Sequence, residues 1–220
     1  MSEPFNTYKL DDITTMPQRY RANFINSLSG FKSAALLGTT DGKSHNLAIV
    51  SSVVHVGANP PLLGMIMRPH TVQRDSLNNI KQQGVYTLNH VHTQWVDKAH
   101  QTSARYQPKE SEFEKVGLTP WFSDNFNAPY VAESHIKIGL KVEQHFTLCN
   151  QTEMVIGAIK EVHLNKAMMS EDGYADIERA GSACISGLDS YHTTERFARL
   201  SYAKPDKPLD ILDIDGKPIY

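Results

Sequence analysis

Apolar positions first fall at helical spacing between Pro17 and Leu28, where Tyr20, Phe24, Ile25 and Leu28 recur on one face. Thr15 followed by Pro17 suits a helix start, because a proline in the first turn lacks a donor that would find no partner there anyway; Gly30 suits the end. The pattern predicts a helix over 17–28 whose apolar face packs on a sheet. The unbroken run Ala34-Ala35-Leu36-Leu37 then reads as a buried strand, and Thr39-Thr40-Asp41-Gly42 leads into a tight hairpin, since glycine accepts positive φ without a Cβ clash. The returning stretch, Ser44 to His55, reads as a strand, yet Asn46, Ser51 and Ser52 stand where a core strand carries methyl groups, and Pro60-Pro61 follows. A bound polar group is the expectation there.

Leu62 to Met67 predicts a further buried strand. Asp75 or Ser76 can cap a second helix carrying Leu77 and Ile80 and closed by Gly84, with Val85 to Asn89 the next strand. Residues 90–109 show no readable period. Ser111 with Glu114 fits a capping box for a short helix ended by Gly117. The clearest β signal is the alternation of Ile136, Ile138, Leu140 and Val142 with His135, Lys137, Gly139, Lys141 and Glu143. Asn150-Gln151 predicts a turn, and Met154 to Leu164, apolar on both faces, a strand in a barrel wall or at a dimer interface. Glu171-Asp172-Gly173 reads as another turn and 181–191 as mostly irregular. The proline-containing end from Lys204 onward cannot be an inner strand and is expected to wrap over the surface or a partner. Together these elements predict a mainly β chain with short helices, folded as one antiparallel barrel domain over 1–220, with a core at about 17–200 and an extension from 204.

A chain of 220 residues can bury a core without metal or disulfide staples. The net charge of −2, with Lys and Arg dispersed, gives no footprint for a nucleic acid backbone. Two cysteines, Cys149 and Cys184, and the acidic beginning MSEPFNTYKLDD point to a cytoplasmic protein with free thiols, and no run is long and apolar enough for a membrane helix. The chain lacks a GxSxG elbow, a CxxC pair and a GxGxxG phosphate loop. His90 and His92, with His100 beyond, invite a metal reading, but no ligand set accompanies them at a recognised spacing, and they are read as surface histidines.

Seven pieces in order carry a resemblance: Thr39 to Gly42, NLAIVSS at 46–52, NPP at 59–61, RDSLNNI at 74–80, SEFEKVGLTP at 111–120, APYVAES at 128–134 and VIGAIKEVHL at 155–164. With these the chain resembles the flavin reductase-like family. The resemblance implies an FMN-binding split β-barrel, a homodimer with FMN at the subunit boundary, and hydride transfer from NAD(P)H to flavin, the nicotinamide stacking on the ring without a Rossmann domain. It also implies that the residues from Asn46 to Ser52 line the flavin, largely through main-chain groups around Ala48, Ile49 and Val50.

FMN demands a neutralised phosphate, partners for ribityl hydroxyls and hydrogen bonds at the ring's pyrimidine edge. Arg68 or Arg74 could supply charge, and Thr71, Ser76 and the first amides after Asp75 could supply donors aligned with a helix dipole. By residue type alone, both arginines read as solvated and Ser76 as a cap. Ser51, Ser52 and Asn46 offer hydroxyls and an amide, or else form a solvent-facing strand edge. Tyr191 and His192, in GLDSYH, are the candidates for flanking the open ring face, with simple packing as the alternative. Direct hydride transfer between stacked rings requires no acid or base, so no catalytic residue is named. Two other readings remain open: an FMN-carrying electron-transfer or flavin-binding protein without its own nicotinamide reaction, and a barrel for a different small ligand.

Overall fold

The computed structural model describes residues 5–68, 75–107 and 110–219. In chain order, α1 (Leu10–Thr15) and α2 (Gln18–Leu28) precede β1 (Lys32–Ser33), β2 (Ala35–Thr40), β3 (His45–Val50), β4 (Val53–Ala58) and β5 (Pro61–Met67). Then come α3 (Asp75–Gln83), β6 (Val85–His90), α4 (Val96–Gln101) and α5 (Glu112–Val116). The short β7 (Pro120–Trp121) and β8 (Tyr130–Val131) lead to the long hairpin of β9 (Ile136–Thr147) and β10 (Glu153–Leu164). Short strands close the chain: β11 (Cys184–Ser186), β12 (Ser190–His192), β13 (Arg199–Leu200) and β14 (Ile211–Leu212).

Seven strands form one antiparallel sheet in the order β3-β2-β6-β9-β10-β5-β4. The stretch from Ser44 to His55 is therefore two strands, not the one its pattern suggested. They lie at opposite edges of the sheet, joined only by Ser51 and Ser52. Val50 and Val53 can be no more than about 11 Å apart along the chain, whereas six interstrand steps of about 4.8 Å would set the edges of a flat sheet about 29 Å apart. The sheet must roll until its edges meet, and the two serines occupy the seam. Ser52 also accepts a backbone bond from Ile66 at 2.9 Å, which fixes the seam against β5.

Both faces of β2 are covered, which explains its continuous apolar run. Leu37 enters the barrel interior with Met65, Tyr86, Leu88, Leu140 and Val155, and Leu77 and Ile80 of α3 pack into the same cluster. Leu36 points the other way, into a second core with Leu47, Val91, Phe113 and Val131. Gly38 is required by close approach: a Cβ there would strike the Pro129 carbonyl and Thr87 Oγ1, which are themselves hydrogen bonded at 2.6 Å.

Four local expectations are revised. The helix over 17–28 forms as α2 but buries no residue, with Tyr20 59% and Leu28 65% exposed, so its apolar face does not pack on the sheet. Residues 181–191 are not irregular: β11 pairs with β1 and β12 in a three-stranded sheet. The capping box before α5 does not form, because Ser111 Oγ donates instead to the His45 carbonyl at 2.6 Å. His90 is not a surface residue. Its Nδ1 is bonded to Ser182 Oγ at 2.9 Å, and burial pulls its pKa down to about 4. The segment left unread at 90–109 contains a 3-10 turn over Thr93–Trp95 and then α4.

Candidate functional site

The free edge of β3 is where the candidate residues can be tested one by one. Strand alternation directs the backbone groups of one residue in two away from β2. His45 and Leu47 are the outward-facing pair: the His45 carbonyl is taken by Ser111 Oγ, and the Leu47 amide donates to Glu112 Oε2 at 2.9 Å. Ile49 continues this series, and among the described residues its outward amide and carbonyl have no hydrogen-bond partner. Its side chain packs against the helix-side core, while that of Val50 enters the barrel cluster. Ala48 lies opposite Leu37.

The site list divides between two ends of this edge. Asn46 sits at the hairpin end, where its Oδ1 accepts from Asn79 Nδ2 at 3.1 Å; Asn79 also reaches Thr39 Oγ1 at 3.3 Å. A polar cavity of about 250 Å³ opens here, bordered by Asn46, Asp41, Asp75 and Glu110. Burial raises the pKa of Glu112 beside it, and the negative charge of Asp75 adds to that shift. Ser76, in the first turn of α3, is buried. Among the described residues this end carries an excess of carboxylates, and these by themselves do not suit a dianionic phosphate.

Ser51 and Ser52 lie at the other end, roughly 17 Å from Asn46 at about 3.3 Å per residue, so no single group of a ligand can touch both ends. The β4–β5 register sets Val53 opposite Met65, which brings Arg68, just beyond β5, to the serine end. Arg68 is exposed and, among the described residues, has no carboxylate partner. The pKa of Lys32 is lowered, first by burial and then by the positive charge of Arg68, so a second cation belongs to this neighbourhood. Sequence reasoning passed over Lys32, because a lysine before an apolar strand carries no motif. Thr71 and Arg74 lie outside the described residues.

Tyr191 and His192 are neighbours on β12 and therefore face opposite sides of its sheet. Tyr191 packs on the helix-side core and its hydroxyl meets His100 Nδ1 at 3.0 Å, with burial pushing its pKa up to about 12. His192 Nε2 meets Ser186 Oγ at 2.8 Å and its ring contacts Phe31 edge-on, with centroids 4.9 Å apart. The two cannot flank one ligand face together. Among the described residues no group of three or more His, Cys, Asp or Glu is placed to hold a metal ion, and both cysteines are free.

Comparison with known proteins accounts for the arrangement. The family model of the flavin reductase like domain matches residues 28–182. A split-barrel-domain protein of Shewanella frigidimarina NCIMB 400, provisionally named a flavin reductase, superposes with a TM-score of 0.87 at 48% identity, covering 90% of this chain and 100% of that one. Nitrilotriacetate monooxygenase component B from Bacillus cereus shares the fold at a TM-score of 0.80 and 19% identity, over 90% of this chain and 100% of that one. Flavoredoxin of Desulfovibrio vulgaris (Miyazaki F) does so at 0.67 and 22%, over 80% of this chain and 92% of that one. The uncharacterized protein YwrF of Bacillus subtilis (strain 168) is 27% identical over 176 residues, 77% of this chain and 80% of that protein. A barrel rolled shut at a polar seam, with a family match over most of its length, makes this chain a member of the flavin reductase-like family, built on the split-barrel fold.

Proposed function

We propose that the protein is an FMN-binding oxidoreductase that transfers hydride from NAD(P)H to flavin and acts as a homodimer. The observation that carries the reading is the free backbone edge at Ile49 beside the hydroxyls of Ser51 and Ser52, in a family whose members bind FMN. An outward amide and carbonyl on one residue offer the donor and acceptor that a flavin's pyrimidine edge requires. The phosphate belongs at the Arg68 end, where Lys32 is a second cation, and not at the Asn46 end, whose described lining includes Asp41, Asp75 and Glu110.

When bound, FMN supplies the ring that accepts and passes on hydride. The chain's own part is to bind and orient. Edge groups of β3 fix the ring plane, the Ser51 and Ser52 hydroxyls hold polar chain atoms, and Arg68 neutralises phosphate charge. His192, on the face shared with Ser186 and Phe31, is the better placed of the two residues considered for the open side. The uncovered apolar face of α2 is the surface offered to a second subunit.

The test is spectroscopic. The purified protein should be yellow, or should quench FMN fluorescence at micromolar concentration, and its bound flavin should bleach when mixed anaerobically with NADH or NADPH. A flavin that stays oxidised with both nucleotides but takes electrons from a reduced redox protein selects an electron carrier instead. Absence of flavin binding rejects both.

A further inference from the structure

We propose that the open end of the barrel is a binding site for an uncharged, ring-sized organic molecule carrying one oxygen function. A cavity of about 240 Å³ lies there, walled by Ala35, Val53, Leu63 and Leu88, with Ser33, His90 and the exposed His55 as its polar groups. A cavity of about 150 Å³ lined by aliphatic and aromatic side chains already holds benzene, so this one accommodates a six-membered ring with a substituent. Its position is separate from the acidic cavity at Asn46, which has different walls.

Three observations set the chemistry of the occupant. Ser33 Oγ is fully buried and among the described residues has no hydrogen-bond partner, an unfavourable arrangement that a partner brought in by a ligand relieves. His90 has its Nδ1 engaged by Ser182 Oγ at 2.9 Å, which leaves Nε2 as the ring nitrogen available to that ligand. Among the described residues no Lys, Arg, Asp or Glu borders the cavity, burial keeps His90 neutral, and the one other histidine of the lining, His55, is exposed to solvent, so a charged ligand would enter without a fixed counter-charge. A phenol or a cyclic ketone satisfies all three conditions: apolar ring, one oxygen, no charge. Neither Asn46 nor Arg68 borders the cavity, so the assignment does not rest on the FMN reading.

The experiment titrates the full-length protein, as purified, with p-cresol, cyclohexanone and benzoate, read by calorimetry and ligand-observed NMR. Saturable one-to-one binding of an uncharged ring is expected, with benzoate much weaker. Ser33→Ala should weaken that binding about three- to tenfold while leaving the unliganded protein equally or more stable, since it removes a hydroxyl with no partner. Leu63→Trp, which fills the cavity, should abolish it. Failure of both rings to saturate by about 10 mM, equal binding of benzoate, or unchanged affinity in a folded Leu63→Trp variant overturns the proposal. Should that variant not fold, Ser33→Ala decides: unchanged affinity, or a clear loss of stability without ligand, overturns it. FMN binding is read separately by fluorescence, so failure of the flavin reading is distinguishable.

Discussion

Asn79 donates through Nδ2 to Asn46 Oδ1 at 3.1 Å, tying the buried face of α3 to the edge strand that carries the candidate flavin contacts. The same amide nitrogen reaches Thr39 Oγ1, so one side chain holds β2 and β3 against α3. Asn79→Ala leaves two polar partners without it and should destabilise the fold by about 1–3 kcal/mol. Urea denaturation measures this. A loss below about 0.5 kcal/mol would show that the amide is replaceable.

Gly38→Ala tests a steric requirement. The new Cβ would meet a backbone carbonyl, at Pro129, as well as Thr87 Oγ1, and neither is the free end of a flexible side chain. We expect a loss of about 3 kcal/mol or more, visible as a lowered thermal midpoint or loss of soluble protein. Near-native stability would mean that the loop carrying Pro129 can move away.

Phosphate recognition distinguishes FMN from riboflavin. A true phosphate arginine contributes about 1.5–3 kcal/mol, so its removal should weaken FMN binding roughly tenfold or more and leave riboflavin little changed. Arg68→Ala and Arg74→Ala are compared by fluorescence quenching. Equal effects on both flavins would move the phosphate elsewhere.

His90 predicts a pH dependence. Its pKa is about 4 in the folded protein and near 6.5 when unfolded, so between these values the unfolded chain binds more protons and stability falls as the pH is lowered. The contribution is fully present above about pH 6.5 and is lost on acidification towards pH 4, amounting to a few kcal/mol at most. His90→Gln should flatten the stability profile in that window. A profile unchanged from wild type would assign the acid loss to other groups.

The dimer can be tested through α2. Tyr20 and Leu28 are exposed in the single chain, and replacing both by serine should cost an isolated subunit about 0.5 kcal/mol or less per site. If α2 packs on a second subunit, the double variant should shift sedimentation towards monomer. A wild-type protein that already sediments as a monomer removes α2 from any such role.

The sequence by itself determined the elements whose signals are local. Gly42 at φ +91° and Gly117 at φ +66° occur where turn and helix-end chemistry demand glycine, and the long hairpin of β9 and β10 turns at Asn150-Gln151 as its flanking pattern requires. Ordered motifs also carried the family. The tertiary structure alone decided which faces are covered. A stretch that alternates like one strand became two because Ser51 and Ser52 must cross the seam of a rolled sheet, and rolling is a property of all seven strands together. The apolar stripe of α2 has the same period whether it meets a sheet, a second subunit or water. His90 reads like a surface residue until β6 carries it to Ser182, ninety-two positions away in sequence. Periodicity reports which residues share a side; burial and charge pairing depend on what the rest of the chain brings to that side.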